Sequence, residues 1–229
     1  PVTYLPRQTY LALRDQPGRP VGFPAEETPR WRTFYNPAFG LACVYQDKCA
    51  GTPAKTGGQY SNKDNEYVAA YVNRAFGNVL VLHGKLPATP ATLRRDPSMR
   101  SDAQLRYWSI CSNESYATTR AVACLHDEQI VTDADGNYTL VLSLPEDRPA
   151  NATTRNGVNW LSLSPRGDGA GHADDTMLIL RNMLPTATFH QAVQNTEVPG
   201  DEGTVMREYL PTGSYTTRAA FEALGSAPR

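Results

Sequence analysis

A chain of 229 residues with 22 basic and 23 acidic side chains carries a formal charge of −1. That balance leaves no basic excess to draw nucleic acid or an anionic membrane. No apolar run approaches the ~18 residues that a membrane-spanning helix needs, and a chain of this length buries roughly 70–75% of its unfolded surface in one all-β domain.

Residues 1–37 differ from the rest. Pro1, Pro6, Pro17, Pro20, Pro24, Pro29 and Pro37 punctuate them, leaving no room for a long helix or strand. Tyr4, Leu5, Tyr10, Leu11, Leu13, Phe23, Trp31, Phe34 and Tyr35 interleave, too apolar for a disordered tail. The expectation is an extended arm laid on its own domain or on a neighbouring subunit. Residues 38–60 read as loop, with a turn at Gly57-Gly58. Ser61 or Asn62 then looks like an N-cap, and Tyr67, Ala70, Tyr71 and Arg74 share a helical face up to Gly77.

Strand signals follow. They cover Val79–Lys85, Leu105–Ser112, Thr119–Leu125, Tyr138–Leu144, Val158–Ser164 and Thr176–Leu184. Tyr107, Ser109 and Cys111 should share one face of their strand. Helical period returns over Ala187–Asn195, Glu202–Tyr209 and Thr216–Leu224, with caps at Thr186, Asp201 and Thr216 or Thr217.

The four cysteines are Cys43, Cys49, Cys111 and Cys124. An even count in two local pairs suggests disulfides and an oxidising compartment. Three connectivities exist; Cys43–Cys49 with Cys111–Cys124 is favoured, because each closes a short loop. No pair has zinc-knuckle spacing. The chain opens at Pro1, as it would after removal of an export signal, and a chain trimmed there would open the same way.

The motifs carry little chemistry. Asp133, Asp135 and Asn137 imitate the start of a calcium loop, but Leu144 stands where the bidentate Glu belongs, so a hairpin turn is the better reading. The glycine-rich run 167–175 offers Asp168, His172, Asp174 and Asp175, which could hold calcium or a transition metal; Asp and Gly are also ordinary loop residues. Arg166-Gly167-Asp168 copies a cell-adhesion tripeptide, as any three residues can by chance. His83 is placed on a strand and His190 on a helix. No Gly-x-Ser-x-Gly elbow, His-Glu-x-x-His helix, phosphate loop or dinucleotide fingerprint occurs. A paired-carboxylate enzyme needs no local motif. Arg106-Tyr107-Trp108 and Asn159-Trp160 offer aromatics beside polar groups, suited to stacking on sugars or to packing. Asp147 and Arg148 could clamp the bend after a strand.

Several stretches, in order, carry a resemblance. They are Arg106–Ser109, Asp135–Thr139, Pro145–Asn151, Asn159–Leu161 and Leu178–Pro185. Together they resemble the C-terminal β domain of bacterial proteins known as the domain of unknown function 1214 family, and more closely its secreted actinobacterial relatives. The resemblance spans roughly residues 78–185. It implies a jelly-roll-like sandwich and an exported protein, with no reaction to transfer, and it leaves the arm and first helix unexplained.

The expected fold is therefore mainly β: a jelly-roll-like β-sandwich over 38–229 with peripheral helices, preceded by an extended Pro-rich arm over 1–37. The expected function is an exported binding or structural protein in an oxidising compartment, self-assembling through its arm. The alternatives are a secreted enzyme acting on a cell-wall, sugar or lipid substrate, and a small-ligand carrier using the sandwich interior. The enzyme would draw on Arg106, Tyr107, Arg148, His172, Asp174 and Asp175. No cofactor is expected beyond a metal at 167–175, and the partners are a second copy of the chain or a small-molecule or carbohydrate ligand.

Overall fold

The computed structural model describes residues 5–56, 62, 64–94 and 102–225. The turn expected at Gly57-Gly58 and the cap expected at Ser61 lie outside them. Among the described residues nine strands form two sheets. The first sheet runs β1 (Trp31–Thr33), β2 (Asn65–Asn73), β8 (Asp175–Pro185), β4 (Leu105–Asn113) and β5 (Ala121–His126), all antiparallel. The second runs β7 (Val158–Ser162), β6 (Asn137–Ser143), β3 (Val79–Lys85) and β9 (Thr212–Thr216), with β6 and β7 parallel.

The two sheets share one core. Val68, Ala70, Val72, Trp108, Ile110, Leu178 and Leu180 come from the first sheet, and Leu80, Leu82, Tyr138, Leu140, Leu142 and Leu161 from the second. Each set alternates along its strands, as a sheet buried on one face requires. Side chains of both sheets are buried against one another in this inner layer. Asp133 closes the turn ahead of β6 as an Asx turn, and that turn joins the two sheets rather than two strands of a hairpin as expected: its Oδ1 accepts the N–H groups of Asp135 and Asn137 at 2.9 and 2.8 Å, with Gly136 at φ 82°.

The structure corrects the helix expected after residue 61. Residues Asn65–Asn73 are β2, paired with β1 on one side and along all nine residues with β8 on the other. The run Tyr-Val-Ala-Ala-Tyr-Val satisfies both periods, and two waiting ladders decide for the strand, where β-branched and aromatic residues fit. The segment before residue 37 is also more regular than an extended arm. Between Pro6 and Pro17 an eight-residue helix fits, α1 (Arg7–Arg14), burying Tyr10. Trp31–Thr33 then adds the edge strand β1. The loop expected from residue 38 contains α2 (Pro37–Gln46), with Pro37 at its first turn and the Asn36 side chain accepting from Phe39 N at 2.8 Å. Tyr10 and Phe23 each meet Tyr45 of α2 edge-on, at 6.0 and 5.8 Å between ring centres. Residues 5–37 thus pack on their own chain.

The C-terminal expectations divide. The helix expected at Ala187–Asn195 is reduced to a single turn at Val193–Asn195, and His190 lies in the turn before it. Glu202–Tyr209 forms the short α3 (Glu202–Met206) and a further turn. Residues Thr212–Thr216 were not expected as a strand; Thr217 caps α4 (Arg218–Glu222). Both favoured disulfides are present, Cys43–Cys49 and Cys111–Cys124.

Candidate functional site

Side chains that point away from the core build the outer face of the first sheet. Register stacks them in rows. Tyr67, Arg181, Ser109 and His126 form one row. Ala69, Ile179, Cys111 and Cys124 form the next, and Tyr71, Met177 and Asn113 the third. In the middle row Ile179 stands between the small Ala69 and the Cys111–Cys124 bridge. Phe34 and Pro37, at the start of α2, and Tyr116 and Thr119, from the β4–β5 loop, stand around it. The result is a groove of about 460 Å³. Phe34 and Tyr116 stack at 6.4 Å with planes 25° apart. Burial pushes the Tyr116 and Tyr71 hydroxyls above the ordinary tyrosine value, so both stay neutral.

Arg181 is the charged residue of this lining, which holds no Asp or Glu. Its guanidinium sits 5.2 Å from the Tyr67 ring centre. It makes no ion pair or hydrogen bond among the described residues. Groove, aromatic walls and one oriented cation are the composition of a site for a small molecule. Arg181 stands inside the apolar strand Thr176–Leu184, and that lone charge was the available signal for it.

The other end of the same face is covered by α1 and α2, and a polar cluster lies there. Asp168 is 1% exposed. Its Oδ1 accepts the N–H groups of Ala170, Gly171 and His172 at 2.7, 3.0 and 3.0 Å, and its Oδ2 lies 2.6 Å from His172 Nδ1. His172 Nε2 lies 2.7 Å from Asp15 on the residue after α1. Asp175 accepts from Arg14 Nε at 2.6 Å and Nη2 at 3.3 Å, and from Asn73. Burial opposes ionisation of Asp168, but the backbone donors and the His172 ring outweigh it and hold its carboxyl below the usual carboxylate range. For Asp175 burial wins over Arg14 and Asn73, and its carboxyl is pushed up.

A metal at 167–175 would use these groups. Oxygen and nitrogen atoms of Asp168, His172 and Asp175 lie within 4.8 Å of one another. Both His172 ring nitrogens already face carboxylates, and Asp175 already holds the Arg14 cation. The donors are committed to protein partners, and the cluster reads as a latch for α1. Asp174, expected with them, points to Arg74 at 2.9 Å on the exposed side.

No family model matches the chain, and no curated protein does. Among solved structures it is similar to an uncharacterized protein from Burkholderia cenocepacia, at TM-score 0.42 and 14% identity over 85% of this chain and 36% of that one. It is also similar to the VPA0106 protein from Vibrio parahaemolyticus, at TM-score 0.38 and 14% identity over 71% of this chain and 33% of that one. The chain thus spans about a third of each neighbour's length.

The remaining expected residues lie apart. Tyr107 is on the outer face, one row beyond the groove, stacked on His126 at 6.4 Å; Arg106 is beside it on β4. Its partner Met183 is eight residues along β8 from Asp175, about 27 Å at strand rise. Trp108 turns into the core. Arg148 lies in the bend after β6, beside the other sheet: it donates to Ala152 O at 3.2 and 2.8 Å and lies 4.4 Å from the Trp160 ring centre. It clamps its bend through that carbonyl, while Asp147 accepts from Asn78 Nδ2 at 2.8 Å. In the Arg166-Gly167-Asp168 triplet, Arg166 is forked onto the buried Glu114 at 2.6 and 2.9 Å. Glu114 escaped notice in the sequence, since a buried carboxylate in a loop carries no local mark.

Proposed function

We propose that this is an exported, non-catalytic binding protein that takes a flat, largely apolar small molecule in the groove on the outer face of its five-stranded sheet. The groove of about 460 Å³ carries the reading, since its volume and aromatic walls suit such a ligand. Two disulfides support export to an oxidising compartment. No helix among the described residues is long and apolar enough to cross a membrane. The wide separation of Tyr107, Arg148 and His172 favours binding over catalysis. The packing of residues 5–37 on their own chain favours it over assembly through an arm. A kinship with the secreted relatives of the domain of unknown function 1214 family belongs to the same proposal, on the ordered motifs alone.

The test is solution NMR of the isotope-labelled protein titrated with 2-naphthylmethanol. Amide shifts should concentrate at Ala69, Cys111, Ala121 and Ile179, and vanish in Ala121→Trp, which fills the groove from its exposed rim. Shifts scattered over both sheets, or none, would refute the reading.

A further inference from the structure

We infer that the ligand of this groove carries a carboxylate on a flat ring system, seated on Arg181; the inference rests on the groove-binding reading above. Four observations carry it. First, Arg181 is on β8, between β2 and β4, in the middle of the sheet. A cation there gains nothing from the core and is half-buried among Tyr67, Ile179 and Ser109. Second, its guanidinium meets no acid among the described residues. Arg14, Arg19, Arg32, Arg74, Arg166 and Arg218 all reach carboxylates, and Arg181 does not. A half-buried charge without a counter-ion is costly, and an anionic ligand would remove that cost. Third, the groove lining contains no carboxylate to repel or compete with an anion. Fourth, the cation is aimed. Its contact with the Tyr67 ring at 5.2 Å restrains the side chain, so the planar fork loses less freedom when it meets a carboxylate.

The lining then divides the ligand into two parts. The fork of Arg181 matches a carboxylate in two parallel hydrogen bonds, with the Ser109 hydroxyl directly across the ladder as a further donor. Phe34, Tyr116 and the Cys111–Cys124 bridge line the rest, a surface that fits a ring and offers little to an alkyl chain with many rotors.

The experiment compares naphthalene-2-carboxylate with 2-naphthylmethanol, near-isosteric and uncharged, on the full chain by NMR titration. The carboxylate should bind at least about tenfold tighter, the size of one charge-assisted hydrogen bond. Arg181→Gln should bring the carboxylate down to the alcohol and leave the alcohol unchanged. Arg181→Lys, which keeps charge but loses the fork, should fall between. Thermal unfolding of each variant confirms that it folds. If both compounds bind the groove equally and Arg181→Gln changes neither, the anion inference is overturned while the groove reading survives. If neither compound shifts the groove amides, both are overturned.

Discussion

Arg14→Ala should unlatch α1, and its size follows from the site. The Arg14 and Asp175 side chains are 15% and 8% exposed and paired at 2.6 Å. Deleting one partner of a buried pair costs about 3–5 kcal/mol, because the other charge is left uncompensated. Asn73 still donates to Asp175 in the variant, so the lower end, about 3 kcal/mol, is expected. With a urea slope near ~3 kcal/mol/M for a chain of this size, the midpoint should fall by about 1 M. Tryptophan fluorescence reports it, since Trp31 and Trp108 are buried in the shared core. The pH dependence adds a second handle. The Asp175 carboxyl is already raised by burial against the pull of Arg14, and losing Arg14 raises it further. The folded state then holds a proton that the unfolded state has released. Stability therefore falls as pH rises from the ordinary carboxylate value to the raised one. The deficit of Arg14→Ala should be full at neutral pH and shrink as pH falls through that window. Adding Asp175→Asn should restore part of the loss, because the unpaired charge is gone. A stability loss below about 0.5 kcal/mol, or a deficit that does not change with pH, would refute the latch.

Asp168 should behave with the opposite sign. Its carboxyl is held below the ordinary range, so the stability it contributes is present above the unfolded value and lost as pH falls through the folded one. Asp168→Asn should cost about 2 kcal/mol at neutral pH and converge with the parent in acid, as denaturation curves at several pH values would show. Cys111→Ser with Cys124→Ser removes a bridge closing a 13-residue separation and should lower stability by about 3 kcal/mol in thermal or urea unfolding. It also alters the groove floor, so naphthyl binding should weaken in parallel.

Some of this protein was legible residue by residue. The six expected strands lie where alternation and turn residues put them, because a sheet with one buried face writes a period of two into the chain. The disulfide partners followed from loop length. The Asp133–Asn137 turn followed from Asp and Gly at fixed offsets. Of the site, the cluster of Asp168, His172 and Asp175 was visible because its acids crowd a short glycine-rich loop. Arg14 and Asp15, which complete it, come from the far end of the chain.

What the sequence by itself determined is the β character, the position of six strands and the pairing of the cysteines, all governed by neighbours a few residues apart. The tertiary structure alone decided the rest. Residues Asn65–Asn73 carry two periods at once and became a strand because β1 and β8 supply hydrogen-bonding partners on both edges. The proline-rich start became a helix and an edge strand because Tyr45 and Ala70 give Tyr10 and Trp31 somewhere to be buried. The groove exists in no segment: register brings Tyr67, Arg181 and Ser109 into one row from three strands far apart in the chain. Local free energy is written along the sequence, whereas a surface made by pairing distant strands is settled only when those strands meet.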